Sequence, residues 1–210
     1  MNLDLLGKTA IVCGSTQGIG KATALQLAKM GANIVLVARN EVKLASVKDE
    51  LDISKGQKHN HIKADFNFPT ELKLSVEEFI KENGPAHILV NNTGGPPGGQ
   101  AIAAKTDEYT SAFNMHLISN QCLAQALVEG MKSEGYGRII NVISTSVKQP
   151  LNGLGVSNTI RGAVASWSKT LANELGEFNI TVNNVLPGAT NTVRLQSIIE
   201  TKASKTGRSI

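Results

Sequence analysis

Apolar residues in this chain fall into short unbroken runs, and between the runs they recur every three or four positions. The runs are Thr9–Cys13, Ile34–Ala38, His87–Val90, Ile139–Ile143 and Thr181–Leu186. Runs without polar alternation predict strands covered on both faces. The spaced stretches predict helices: Phe113, Leu117, Ala124, Leu127 and Met131 have helical spacing, and Gly31 and Gly84 fall where helices should stop. A further strand, third in order, is expected just before Asp65. Strand and helix then alternate from Lys8 to Leu186, which predicts a single α/β domain with a doubly wound, mainly parallel sheet, helices on both faces and right-handed crossovers.

Ligands of such a sheet bind beyond the carboxyl ends of the strands, where strand order reverses. Polar residues and glycines collect at those ends. The first strand runs into Gly14-Ser15-Thr16-Gln17-Gly18-Ile19-Gly20 and directly into a helix. A diphosphate approaches a backbone only where no Cβ intervenes, and a helix start offers it unpaired N–H groups and the positive end of the dipole. The bland alternative is an ordinary glycine turn closing a loop. Arg39 and Asn40 follow the second strand and Asp65-Phe66-Asn67 the third. The fourth leads into Asn91-Asn92-Thr93-Gly94-Gly95-Pro96-Pro97-Gly98-Gly99, whose glycines indicate either a close backbone approach or a bare turn. Pro187-Gly188-Ala189-Thr190-Asn191-Thr192 follows the sixth.

Composition narrows the classes further. The 210 residues carry a net charge of +4, but the lysines are scattered among acids and no basic block interleaves with aromatics, which argues against nucleic acid as a partner. Cys13 ends an apolar strand and Cys122 lies in a helical pattern, so both are expected as buried free thiols, and metal-ligand spacing is absent. Residues 1–8 show no basic leader and no stretch is long and apolar enough for a membrane span, so a soluble cytoplasmic protein is expected.

The motifs CGSTQGIG, NNTGG, Asn114, NVIS and LPGATNT occur in the order found in the short-chain dehydrogenase/reductase family, which the chain resembles over nearly its whole length. Much of it looks most like the 3-oxoacyl-thioester reductase branch. The resemblance implies a Rossmann-type sheet holding a nicotinamide dinucleotide. Cys13 stands where the family's TGxxxGxG loop has threonine. Position by position, Gly14, Gly18, Ile19 and Gly20 would hold the diphosphate, with Ser15 and Gln17 in the same turn. Asp65 and Phe66 would meet the adenine, Asn91 and Gly94 would flank the adenosine ribose with Thr93 beside them, and Pro187, Gly188 and Thr192 would hold the nicotinamide. An acid after the second strand would chelate the ribose hydroxyls of NAD(H). Arg39 and Asn40 stand there instead, and a guanidinium suits a 2′-phosphate, so NADP(H) is expected ahead of NAD(H). Gln17, where many NADP-using relatives carry a base, argues the other way.

Members of the family typically use Asn, Ser, Tyr and Lys, the last two as YxxxK. Asn114 and Ser144 match. Counting back from Leu171-Ala172-Asn173-Glu174 puts Ser157 at the tyrosine position and Arg161 at the lysine position, so the expected catalytic set is Asn114, Ser144, Ser157 and Arg161. A serine hydroxyl is a far weaker acid than a phenol, and an arginine does not give up its proton near neutrality. Tyr109, Tyr136 and His116 are expected outside the pocket, the last because two residues along a helix from Asn114 is a different face. Water relayed through Ser144, Ser157 and Asn114 is the expected proton route. Two functions are compatible with this pattern: an oxidoreductase acting on a small-molecule carbonyl or alcohol, 3-oxoacyl thioesters among them, or a dinucleotide-binding protein with little turnover that senses redox state or joins an assembly. The resemblance further implies a homodimer or homotetramer, and substrate-covering helices with a final strand beyond residue 210.

Overall fold

The computed structural model describes residues 3–207, the side chains at 194, 201, 202, 205 and 206 aside. Its strands are β1 (Thr9–Cys13), β2 (Asn33–Ala38), β3 (Asn60–Lys63), β4 (Ile88–Asn91), β5 (Gly137–Val142) and β6 (Ile180–Val185). All pair in parallel, in the order β3-β2-β1-β4-β5-β6. The helices are α1 (Gly18–Lys29), α2 (Glu41–Asp49), α3 (Pro69–Asn83), α4 (Thr106–Phe113), α5 (Ser119–Ser133), α6 (Gly155–Leu175) and α7 (Val193–Thr206).

Successive side chains of a strand leave on opposite faces, and here each face finds its own cover. Ala10 and Val12 of β1 pack with Ala24 and Ala28 of α1 and Leu44 of α2. Ile11 and Cys13 pack with Leu72 and Val76 of α3, Leu123, Leu127 and Met131 of α5, and Leu175 of α6. The buried stripe Gly20, Ala24 and Ala28 is small, which brings α1 close to the sheet. α1 gives way to Gly31 at φ +101° and α3 ends on Gly84 at φ +86°, both in the left-handed region that glycine enters without a Cβ penalty. Strand order reverses between β1 and β4, and the crevice outside their carboxyl ends is where the glycine loop lies.

Three sequence expectations change. β6 is an edge strand and is covered on one face only among the described residues: Ile180 and Val182 are buried while Thr181 and Asn183 are exposed. The helix expected through Phe113 and Leu117 is interrupted by a π-helical turn over Asn114–Ile118, which leaves Phe113 39% exposed. Cys13 is buried as expected, but Cys122 is only half-buried; both thiols are free.

Candidate active site

The glycine loop owes its residue choice first to its own packing. Gly14 has φ +58°, and a Cβ there would meet the Asn92 carbonyl oxygen at 2.5 Å; a Cβ on Gly20 would run into the Gly14 carbonyl. Asn92 clamps the same loop, its Nδ2 donating to the carbonyls of Cys13 and Gly14 at 3.2 and 3.3 Å. Gly18, at φ +56°, faces the Thr192 side chain across the crevice, which brings the loops after β1 and β6 together. Gln17 starts α1 without a side-chain cap and the first turn holds no acid, so the leading N–H groups of α1 keep their capacity for an anion. Ser15 is fully buried and its Oγ has no hydrogen-bond partner. An uncapped helix start, a cradle without Cβ atoms and an unpaired hydroxyl fit a dinucleotide diphosphate.

The outer residues are placed less uniformly. Arg39 is exposed at the end of β2, and Asn40 caps α2 by accepting from the Lys43 N–H at 2.9 Å. Asp65 Oδ1 accepts from both the backbone and side-chain nitrogens of Asn67. The Phe66 ring is in the core, so only its backbone faces the crevice side; its carbonyl accepts from Ser119 Oγ at 2.8 Å. Thr192 caps α7, while Pro187 accepts at its carbonyl from the Thr145 N–H at 3.2 Å, joining the β5 and β6 loops. Thr93 and Gly94 follow β4 in the same crevice, and Gly188 follows Pro187 in the open.

The glycines after β4 answer the choice between close approach and bare turn. Gly99 donates to the Gly153 carbonyl at 2.8 Å and accepts from the Gly155 N–H at 2.9 Å, and a Cβ on Gly155 would strike Ala101. The partner of that approach is the chain itself, at the threshold of α6.

Asn114 opens the π-turn, Ser144 follows β5, and Ser157 and Arg161 sit one turn apart near the start of α6. The π-turn and the short 3₁₀ turn after Ser144 both pack on α6, so the segments bearing all four residues meet. Ser144 Oγ accepts from the Ser146 N–H at 3.1 Å and keeps its own proton to donate. Ser157 is half-buried. Arg161 is buried and donates from Nη1 to the Val142 carbonyl at 3.0 Å, which ties α6 to the end of β5 two residues before Ser144.

His116 departs from expectation. It is 2% exposed, hydrogen-bonded to the Gly94 backbone and close enough to Arg161 to feel its charge. Burial first, then Arg161, pushes its pKa down to about 3 against the pull of Gly94, so the ring is neutral near pH 7. Residue spacing on a regular helix does not foresee this, because a π-turn adds a residue to the turn and re-aims the side chains beyond it. The tyrosines lie as expected: the Tyr136 ring is stacked between Lys8 and Arg138 at the amino end of β5, and Tyr109 Oη donates to the Ala101 carbonyl at 3.4 Å. The Cys13 thiol, pushed up to about 12 by burial, stays protonated and is no nucleophile.

A second feature, absent from the sequence motifs, crosses three strands. Asn91, Asn141 and Asn184 lie side by side on β4, β5 and β6. Asn91 Nδ2 donates to Asn141 Oδ1 at 2.8 Å, Asn141 Nδ2 to Ser168 Oγ of α6 at 2.9 Å, and Ser168 Oγ lies 2.8 Å from Asn184 Oδ1. Each asparagine stands three residues before a site residue: Gly94, Ser144 or Pro187. The one signal in the chain is a polar residue inside each apolar run; strand register is needed to join them.

A reversed parallel sheet with a glycine loop feeding an uncapped helix at its switch point defines a dinucleotide-binding protein of the Rossmann type. More narrowly, the chain belongs to the short chain dehydrogenase family, whose model matches residues 8–203. It is 33% identical over 191 residues to a 3-oxoacyl-[acyl-carrier-protein] reductase of Vibrio cholerae, covering 90% of this chain and 75% of the relative. It is 31% identical over 198 residues to the 7alpha-hydroxysteroid dehydrogenase of Escherichia coli K12, covering 94% and 77%. L-Sorbose reductase from Gluconobacter frateurii, solved with NADPH and L-sorbose, superposes with a TM-score of 0.91 at 32% identity over 99% of this chain and 79% of that one. Among the described residues no helix is long and apolar enough to cross a membrane, and no cluster of three or more His, Cys, Asp or Glu is placed to hold a metal ion.

Proposed function

We propose that the protein is an NADP(H)-dependent oxidoreductase that interconverts a small-molecule ketone and its alcohol, with an altered proton donor. The observation that carries this reading is the uncapped start of α1 beneath the Gly14–Gly20 cradle, with Ser15 buried and unpaired beside it. Support for the phosphorylated cofactor is the exposed Arg39 at the end of β2, together with the NADPH named for the L-sorbose reductase complex. The relatives name an acyl-thioester, a steroid and a sugar, and a secondary alcohol or its ketone is the shared substrate class.

The nicotinamide supplies or accepts the hydride. Gly14, Gly18 and Gly20 shape the loop, and the α1 amides receive the diphosphate. Ser144, with its proton still to give, bonds the substrate oxygen. Ser157 and Asn114 extend a polar path from that oxygen to solvent, through which water delivers the proton. Arg161, anchored on Val142, holds a fixed positive charge that favours an alkoxide. General acid catalysis is typically worth 10²–10⁴-fold, so losing a phenol slows the reaction without removing hydride transfer.

Arg161 also supports the second reading, a dinucleotide-binding protein with little turnover, because its buried bond to Val142 turns a donor away from any ribose. One measurement separates the two. NADPH absorbance is followed with ketones, aldehydes and acetoacetyl thioesters, and parallel titrations compare NADPH with NADH. Turnover of any panel member, with tighter NADPH binding, is the expected result; binding without turnover across the panel moves the assignment to the second reading, and NADH binding as tightly as NADPH overturns the cofactor preference.

A further inference from the structure

We propose that His116 is a positioning residue of the cofactor site: its imidazole, bonded to the Gly94 backbone and set beside Arg161, locks the β4 loop, the π-turn and α6 into one unit. The inference rests on the dinucleotide reading above.

Three observations converge on it. First, the side chain is 2% exposed, where a leucine would fill the space with no polar group to desolvate, so the imidazole costs stability unless its hydrogen bond has a use. Second, His116 belongs to the π-helical turn that Asn114 opens, a distortion that re-aims side chains and is frequent at functional sites. Third, its two neighbours come from the other two walls of the site: Gly94 from the loop after β4, at the switch point, and Arg161 from α6. Gly94 has open space where its Cβ would be and no close packing of its own to hold it. The imidazole supplies that hold. Arg161 in turn is fixed from the far side by the Val142 carbonyl. Movement of the Gly94 loop is thereby coupled to the turn carrying Asn114 and to the helix carrying Ser157.

The ring's part in this is donation to a carbonyl, with no proton given up. The Arg161 charge and burial both disfavour imidazolium, so the bond is a neutral one and keeps its strength across the ordinary working range of pH. Glutamine offers an amide N–H to the same carbonyl; leucine offers only bulk.

The test is NADPH binding followed by the fluorescence of the reduced nicotinamide, in the wild-type protein and in His116→Gln and His116→Leu, with thermal melts run beside each titration. Expected are a Kd weakened about tenfold in His116→Leu, in line with loss of one buried hydrogen bond, and within about threefold of wild type in His116→Gln. Equal affinity in all three, or equal loss in both variants, overturns the inference. Hydrogen exchange on the wild-type protein gives a readout that needs no variant to fold: NADPH should protect residues 92–97 and 114–118 together, and protection confined to 92–97 overturns the coupling. Failure of the wild-type protein to bind NADPH overturns the dinucleotide reading and this inference with it, whereas wild-type binding with unchanged variants removes this inference alone.

Discussion

Acid should unfold this protein in a way that His116 makes measurable. In the folded chain the ring resists protonation until about pH 3, while an unfolded histidine takes up its proton near 6.5. Below 6.5 the unfolded state therefore binds more protons than the folded one, and stability falls as pH falls. The contribution is complete above pH 6.5 and is lost progressively towards pH 3. Between pH 7 and pH 5 the loss from this one group is about 2 kcal/mol, equivalent to about 4–8 °C in the melting temperature of a chain this size. His87, whose pKa is also lowered, by burial first and then by Lys8, acts in the same direction but is common to wild type and variant. Urea unfolding at the two pH values, for the wild-type protein and His116→Gln, isolates the term as the difference of two differences. The wild type should lose about 2 kcal/mol more than the variant on acidification. The same pH dependence in both would refute the buried, neutral placement of the ring.

Two further outcomes are expected from packing. Gly20→Ala drives a methyl into the Gly14 carbonyl, so the thermal melt should shift down by about 5 °C or more and NADPH binding should be lost with it; a melt at the wild-type temperature would show that the loop relaxes freely. Asn141→Ala strips the Asn91 Nδ2 and the Ser168 hydroxyl of their shared partner between β4 and α6, at a cost of about 1–3 kcal/mol for each buried group left unpaired, and denaturant titration should show a midpoint well below that of the exposed control Asn183→Ala.

Much of the fold was legible because burial on both faces leaves a mark in one dimension. Ile34–Ala38 and Ile139–Ile143 had to be strands, since so dense an apolar run exposes too much on a helix with a wet side. The order of elements then implied parallel pairing, and glycines at 14, 18 and 20 marked the turn at its switch point. The β6 pattern suggests two covered faces because its valines dominate the run; its asparagines show one open face once the strand is known to lie at the edge.

The chain alone also placed Asn114, Ser144, Ser157 and Arg161 near one another, because residues at successive carboxyl ends of a parallel sheet are neighbours by topology. Tertiary structure decided what each can do. Arg161 kept its charge but spends a donor on Val142, and Phe66 turned its ring inward and left only backbone outside. His116 entered the site through an extra residue in one helical turn, and three asparagines far apart in the chain became one ladder through strand register. Local pattern records which side of an element is dry. Contacts between elements depend on register and helical phase, which a one-residue shift changes and composition does not carry.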